Sequence, residues 1–163
     1  MSTVAPESLP YRPCVAVMLL SRAGQVLVGK RIDQTLEGWQ MPQGGIDDGE
    51  SPRDAVFREL EEEIGTRNAE ILREHPDWLK YDLPPRLVGL SLRGKYRGQT
   101  QKWFAMRFLG EDREINLATE HAEFSHWRWA SIEELPRLIV PFKRDTYAKV
   151  IAAFRDLAKP AKA

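Results

Sequence analysis

A chain of 163 residues, 42% of them hydrophobic, is long enough to bury a core, and its length predicts one folded domain. Its 24 basic and 24 acidic side chains cancel, which argues against a protein that coats nucleic acid through a large basic surface. The single cysteine, Cys14, cannot form an internal disulfide, and no apolar run is long enough to span a membrane, so we expect a cytoplasmic location.

The two ends of the chain differ in composition from its middle. Residues 1–11 are mostly polar and contain prolines, and residues 159–163 lack any apolar periodicity, so we expect both segments to be tails. Residues 12–158 contain no linker, internal repeat or low-complexity tract. They are expected to form a single α+β domain.

The predicted elements begin with a β-hairpin. An apolar, partly β-branched run from Cys14 to Leu20 is followed by a short turn and a second run from Gln25 to Val28. A helix is then predicted from Pro52, with Ser51 as its N-cap, to a break at Gly65. The remaining elements are four strands and then two helices, at Lys80–Leu83, Leu87–Leu92, Trp103–Phe108, Trp127–Trp129, Ser131–Ile139 and Arg144–Leu157. Strands interrupted by helices suggest a sheet packed between helices.

The first predicted helix gathers acidic side chains on one face. With about 3.6 residues per turn, Glu62 and Glu63 lie about 60° and 40° to either side of Glu59. Apolar residues on the adjoining arc would dock the helix on the sheet: Val56, Phe57, Leu60 and Ile64. Like charges at this spacing repel one another, and a divalent cation would offset the repulsion. Clustered carboxylates suit Mg²⁺ or Mn²⁺ rather than zinc; the alternative is a solvated acidic stripe.

The residues around this helix follow a known spacing. Gly44 is followed after five residues by Glu50, and after seven more by the run Arg58 to Gly65, which reads Arg-Glu-Leu-Glu-Glu-Glu-Ile-Gly. This pattern resembles the Nudix box, which here would span residues 44–66. It departs from the box at Thr66, where a bulky aliphatic residue is usual.

The resemblance implies a fold, a reaction and a set of roles. Nudix hydrolases have a loop-helix-loop site on an α/β/α sandwich around a mixed β-sheet, and they hydrolyse a nucleoside diphosphate linked to another group. The implied roles are metal ligand for Glu59, Glu62 and Glu63, and structural support for Gly44, Glu50, Arg58 and Gly65. Arg58 would pair with Glu50 and thereby fix the loop.

Further stretches resemble one subgroup of this family, the bacterial RNA pyrophosphohydrolases and diadenosine tetraphosphate hydrolases. They are Trp39–Gly45, Tyr81–Pro84, Gly98–Phe104 and Pro141–Arg144. Glu123-Phe124 also resembles the subgroup, with Ala122 where proline is frequent. The resemblance implies that Glu123 is an additional metal ligand or a base.

The expected chemistry is attack by water on a polyphosphate. The negative charge of the substrate resists this attack, so we expect two or more Mg²⁺ ions as cofactors, with Mn²⁺ as the alternative. Glu63 is the first choice for the base that activates the water, and Glu59 and Glu123 are the alternatives.

Cations and aromatic side chains outside the box are candidates for substrate contacts. Arg31 and Lys102 would contact non-reacting phosphates, with a merely solvated charge as the alternative for each. Tyr81 would offer its hydroxyl to the same phosphates. Phe142 beside Lys143 joins an aromatic face to a cation, which suits stacking on a nucleobase, although a phenylalanine at the start of a helix is usually a core residue.

Three functions are compatible with these residues. The leading hypothesis is removal of pyrophosphate from the 5′ end of triphosphorylated RNA, and the alternative is hydrolysis of dinucleoside polyphosphates such as diadenosine tetraphosphate. A catalytically silent nucleotide- or RNA-binding module is a third hypothesis, which the complete set of three glutamates disfavours. We expect neither a membrane nor an extended nucleic-acid duplex as a partner.

Overall fold

The computed structural model describes residues 6–32, 38–89 and 94–162. Within these residues, seven strands form one mixed sheet: β1 (Tyr11–Leu20), β2 (Val26–Arg31), β3 (Trp39–Gln40), β4 (Gln43–Gly45), β5 (Ala69–Asp82), β6 (Gly98–Phe108) and β7 (Phe124–Ala130). The helices are α1 (Pro52–Ile64), α2 (Leu135–Leu138) and α3 (Arg144–Phe154). No helix in the described part of the chain is both long and apolar enough to cross a membrane.

β1 and β2 pair with each other only where the hairpin turn joins them, and they separate further along the sheet. Its order is β3-β2-β1-β6-β5, with β1 and β6 parallel, β4 paired with β1 and β7 paired with β2. The predicted hairpin is confirmed, since β1 pairs with β2 at Leu20 and Val26. The start of β1 pairs instead with β4, and the end of β2 pairs with β3. The two strands therefore diverge, and the segment between β3 and β4 lies in the gap, where Val17 donates to the Pro42 carbonyl at 3.0 Å.

Helices cover both faces of the sheet, which confirms the predicted α/β/α sandwich. Alternate residues of β1 point to opposite faces. Val15, Val17 and Leu19 pack with apolar residues of α1. Met18 and Leu20 pack with residues of α2 and α3 in a second cluster, which also contains the fully buried Trp103.

The boundaries of α1 are those that the sequence predicts. The Ser51 hydroxyl accepts a hydrogen bond from the Asp54 amide at 3.1 Å, and Pro52 occupies the first turn, where its missing N–H costs nothing. Gly65 ends the helix in the left-handed conformation at φ 78°, and its N–H donates to the Glu61 carbonyl. Fixed ends determine which way each glutamate of the helix points.

Two strand predictions differ from the structure. The strand predicted at Lys80–Leu83 matches only the last three residues of β5, and Leu83 lies beyond the strand. β5 is a 14-residue edge strand whose register shifts between Glu74 and Trp78. Edge exposure and that irregularity hide its periodicity. The strand predicted at Leu87–Leu92 is wrong over residues 87–89, because the preceding prolines favour a 3₁₀ turn that ends at Leu87. Residues 90–93 of that prediction lie outside the described residues.

The C-terminal helices are close to their predicted positions. The capping box of Ser131 and Glu134 is present, and it begins a 3₁₀ turn that leads into α2. Where the domain ends stays a prediction, but residues beyond its predicted limit contact the sheet. Arg107 donates to the Lys159 carbonyl at 3.3 Å, and the Ala161 amide donates to a carbonyl of the β1–β2 turn at 2.7 Å.

Substitution of Ser51 tests how much the N-cap contributes to α1. Ser51→Ala should lower the free energy of unfolding by about 1 kcal/mol, because the Asp54 amide loses its acceptor. Urea unfolding followed by circular dichroism measures the change. Ser51→Asp, which keeps an acceptor, should retain most of the stability; an equal loss in both variants would contradict the capping explanation.

Candidate active site

A cleft of about 410 Å³ lies beside the acidic face of α1 and the loop that precedes this helix. Its acidic lining residues are Asp47, Glu59, Glu62 and Glu123, and its arginines are Arg12, Arg31 and Arg58. Gln43, Gly44, Gly45, Gln99 and His121 complete the lining. Elements that are far apart in the sequence therefore bring acids and cations to one place.

Arg58 connects the loop before α1 to the glutamates on the helix. Its Nε and Nη2 donate to the two carboxylate oxygens of Glu50 at 2.8 and 2.7 Å, and Nη2 also donates to the Gly45 carbonyl at 2.8 Å. Its Nη1 donates to Glu59 at 2.9 Å and to Glu62 at 3.1 Å. The pairing with Glu50 that the family resemblance implies is thus present, and the same guanidinium offsets part of the charge of two glutamates.

Glu50 has the environment of an ionised structural carboxylate. The hydrogen bonds from Arg58 lower the pKa of Glu50, against a smaller opposing effect of burial. The Asp47 amide adds a further hydrogen bond to Oε1 at 3.0 Å. Both carboxylate oxygens are therefore occupied within the loop.

Glu63 has the opposite environment. It is 1% exposed, and neither of its carboxylate oxygens has a hydrogen-bond partner among the described residues. Burial raises the pKa of Glu63 well above its ordinary value, and the nearby charge of Glu123 raises it further. A buried carboxyl without hydrogen bonds is costly unless it is protonated or bound to a cation.

Glu59 lies between these two extremes. Burial raises the pKa of Glu59 to about 7, while the hydrogen bond from Arg58 opposes the increase. Its carboxylate fits against the backbone of Gly44, where a Cβ would lie 1.9 Å from Oε2. The box glycine therefore leaves the space that the Glu59 carboxylate occupies.

Glu123 is held close to the other glutamates by contacts between its loop and α1. The Asn116 amide donates to the Ile64 carbonyl at 2.8 Å, and the Thr119 hydroxyl donates to the Glu62 carbonyl. Just after Glu123, the chain enters β7, and the Ile32 amide donates to the Glu123 carbonyl at 2.8 Å. The loop is thus attached on both sides of the cleft.

The donor set fits a hard divalent cation. It consists of carboxylate oxygens. The buried Glu63 carboxyl has no hydrogen bond to any residue that the structure describes, and Gly44 leaves room for the Glu59 carboxylate. Within residues 6–32, 38–89 and 94–162, however, no three His, Cys, Asp or Glu side chains already lie together as a formed metal centre.

The predicted substrate-contacting residues fall into two groups. Arg31 lines the cleft, and its charge opposes the increase in the pKa of Glu63. Tyr81, Phe142 and Lys143 lie together: the two rings are 5.7 Å apart, and the Lys143 Nζ is 5.4 Å from the Tyr81 ring.

Lys102 lies apart from both groups. Its Nζ is 3.5 Å from Glu74 of the neighbouring strand. Because successive strand residues point to opposite faces, Lys102 points away from the face of β6 that carries Gln99 and Gln101. A phosphate contact for Lys102 stays a prediction; its ion pair with Glu74 and its absence from the described lining of the cleft do not favour it.

Several cleft residues were not predicted from the sequence as site residues. Gln43 and Gln99 belong to stretches that resemble the subgroup, and Arg12 precedes the first apolar run. Alternation along β6 could have placed Gln99 and Gln101 on one face of the sheet. His121, which is exposed at the cleft, has no such signal.

Comparison with known proteins decides the family. The family model described as NUDIX domain matches residues 10–150. The chain belongs to the Nudix family. A Nudix relative from Cereibacter sphaeroides strain KD131, named RNA pyrophosphohydrolase, is 54% identical over 155 residues, which cover 94% of this chain and 96% of that protein. A Brucella ovis protein of the same name is 55% identical over 166 residues, covering 95% and 93%.

Solved structures support the Nudix fold. A Caenorhabditis elegans Ap4A hydrolase in a binary complex superposes with a TM-score of 0.64 at 18% identity, covering 89% of this chain and 98% of that one. The Escherichia coli dihydroneopterin triphosphate pyrophosphohydrolase superposes with a TM-score of 0.62 at 17% identity, covering 88% and 99%. At these identities the likeness concerns the fold alone.

Substitution of Gly44 tests whether the space beside Glu59 matters for catalysis. Gly44→Ala should lower kcat for nucleoside polyphosphate hydrolysis by about a hundredfold, because the new methyl group displaces the Glu59 carboxylate by an ångström or more. The matched control is Gly49→Asn, since Gly49 has a positive φ but no atom within 4 Å of a Cβ. Equal rates in the two variants would contradict the assignment.

Glu63 allows a separation of catalysis from stability. Glu63→Gln should lower kcat by orders of magnitude with little loss of unfolding free energy, because a neutral amide replaces a buried carboxyl that makes no hydrogen bond to the described part of the chain. Steady-state kinetics and urea unfolding measure the two quantities. Glu61→Gln is the control, since Glu61 is paired with Arg67 on the outer side of the helix. Unchanged turnover in Glu63→Gln would refute its role.

Proposed function

We propose that this chain is a pyrophosphohydrolase that removes pyrophosphate from the 5′ end of triphosphorylated RNA. The observation that carries the proposal is the cleft itself, in which the acidic face of α1 and Glu123 meet three arginines. Such a site suits a polyanionic end group. The RNA pyrophosphohydrolase names of relatives that match nearly the whole chain support this choice of substrate.

Divalent metal ions are used generally by enzymes of the Nudix family. For this chain we propose Mg²⁺, with Mn²⁺ as the alternative, and more than one ion. Glu59, Glu62, Glu63 and Glu123 would hold them, which agrees with their oxygen donors and with the buried Glu63 carboxyl. When bound, the ions would neutralise phosphate oxygens and make a water molecule more acidic.

Glu63 is the proposed base that accepts a proton from the attacking water. Its burial and its raised pKa suit a group that takes up a proton from the attacking water. Glu59, whose pKa is raised to about 7, and Glu123 are the alternatives. Arg58 and Glu50 would act indirectly, because they hold the loop and the helix in register.

Contacts with the substrate outside the reacting group are assigned from position. Arg31 lies in the cleft and would contact non-reacting phosphates with its planar guanidinium. Phe142 would stack on a nucleobase, with Lys143 beside its ring at 5.9 Å and Tyr81 behind it. Such an aromatic and cationic pair holds a base and its phosphate together. A cytoplasmic location also remains part of the proposal.

Hydrolysis of dinucleoside polyphosphates is the second candidate. We retain this candidate because the fold resembles that of the Ap4A hydrolase of Caenorhabditis elegans, although the likeness concerns the fold alone. Both reactions need the same carboxylates and an aromatic contact for a base. A silent binding module would have no need for the buried Glu63 carboxyl beside three further acids.

A paired assay separates the candidates. A short 5′-triphosphorylated RNA and diadenosine tetraphosphate are supplied separately at one free Mg²⁺ concentration, and product release gives kcat/KM for each. We expect kcat/KM for RNA to be at least about tenfold higher, a difference of about 1.4 kcal/mol in transition-state stabilisation.

The assay includes two controls. Glu63→Gln supplies the blank, and chelation followed by readdition of Mg²⁺ should abolish and then restore turnover of the natural chain. A higher kcat/KM for diadenosine tetraphosphate would select the second candidate. Absence of turnover with either substrate would leave the binding module.

A further inference from the structure

A chain of buried amides leads from the core to the cleft. The Trp103 indole Nε1 donates to the Gln101 amide oxygen at 2.9 Å. The Gln101 amide nitrogen donates to the oxygens of Gln43 and Gln99, at 2.7 and 2.8 Å respectively. Trp103 and Gln101 are at most 1% exposed, whereas Gln43 and Gln99 line the cleft.

Only one orientation of each amide is compatible with these hydrogen bonds. An indole N–H can donate but cannot accept, so the Gln101 oxygen must face Trp103. The two hydrogens of the Gln101 amide are then used by the oxygens of Gln43 and Gln99. Because an amide presents its oxygen and its nitrogen in different directions, the NH₂ groups of Gln43 and Gln99 must point away from Gln101. Neither amide can flip without losing a buried hydrogen bond.

Small side chains on β1 make this chain of contacts possible. Gln101 and Gln43 lie on strands that flank β1 on its two sides, where Cys14 is opposite Gln101 and Ala16 is opposite Gln43. Both β1 residues are buried. Their short side chains leave space above β1, so the two glutamines meet across two strand spacings of about 4.8 Å each.

We infer that Trp103 and Gln101 are positioning residues that fix the Gln99 amide as a hydrogen-bond donor toward the phosphate oxygens of the substrate, while the Gln43 amide is directed to the Tyr81 hydroxyl. Gln99 and Gln43 line the same cleft as Glu59, Glu62 and Arg31, where a polyphosphate group would lie. An amide held with its NH₂ outward attracts phosphate oxygens, and the reversed amide would repel them. The inference rests on the proposed function, because it concerns how the same cleft recognises phosphate.

Two isosteric substitutions reverse or release the donors. Gln101→Glu keeps the acceptor for Trp103 but removes the NH₂ group, so Gln99 must turn its own NH₂ group inward and present its oxygen to the cleft. Gln101→Met removes both hydrogen-bonding functions without adding charge. We expect each variant to raise KM by roughly tenfold or more, while kcat changes by less than about threefold, because a hydrogen bond to a charged phosphate is lost and the glutamates are untouched.

The measurement uses the natural chain and the variants with whichever substrate the natural chain hydrolyses. The inhibition constant of inorganic tripolyphosphate, measured at fixed free Mg²⁺, reports phosphate binding without a nucleobase and should rise by the same factor as KM. Gln25→Met is the matched control, since Gln25 is exposed in the β1–β2 turn and is not one of the described residues that line the cleft. Its KM and inhibition constant should equal those of the natural chain.

Coupling between residues distinguishes positioning from a general structural role. Gln99→Leu should raise KM in the natural background but have little further effect in the Gln101→Met background, because the Gln99 donor is already misdirected there. Additive effects would overturn the inference, as would an increase in KM confined to Gln101→Glu, which would indicate charge alone. An unchanged inhibition constant for tripolyphosphate would also overturn it.

Folding failure does not leave the question open. If Gln101→Met does not fold, Trp103→Phe tests the same set of hydrogen bonds, because it removes the N–H that sets the orientation of Gln101. The KM of this variant should also rise. Failure of the proposed function gives a different result: the natural chain hydrolyses neither RNA nor diadenosine tetraphosphate, while the dissociation constant of tripolyphosphate, measured by titration calorimetry, still depends on Gln101.

Discussion

The fork of hydrogen bonds between Arg58 and Glu50 is the constraint on which the rest of the site depends. It joins the end of the glycine loop, just before α1, to a position in the second turn of that helix. The same guanidinium reaches Glu59 and Glu62, so the loop, the helix and two of the acids form one rigid unit. Glu63 has no such bonds among the described residues, which is why we propose it as the base.

The site places acids of different character on α1 and on the loop that precedes it. Glu50 is stabilised as an anion by Arg58, whereas burial makes ionisation of Glu59 and Glu63 harder. Identical side chains therefore serve different purposes because their surroundings differ. This arrangement also explains why a chain with balanced charge can present a strongly polar local site: the cations and the acids are sorted within the cleft instead of over the whole surface.

Much of the fold was predictable from local signals, and the site less evenly so. Ser51, Pro52 and Gly65 are residues whose backbone preferences act within one turn, so they predicted α1 to the residue. The length of β5 depends on which strands lie beside it, and the turn at Leu87 depends on prolines that outweighed an apolar run. The position of Lys102 followed from strand alternation, which a resemblance of short stretches does not include.

The part played by Gln101 could not have been predicted from a motif, since it arises from the pairing of β4, β1 and β6 and from the small residues on β1. The attachment of the Glu123 loop to the end of α1 has a related consequence. Hydrogen bonds from Asn116 and Thr119 to the last turn of α1 connect the segment that carries Glu123 to the helix that carries the other three glutamates. A displacement of that turn would therefore move the four acids together. The distances among them would be kept, while their distances to a bound substrate would change.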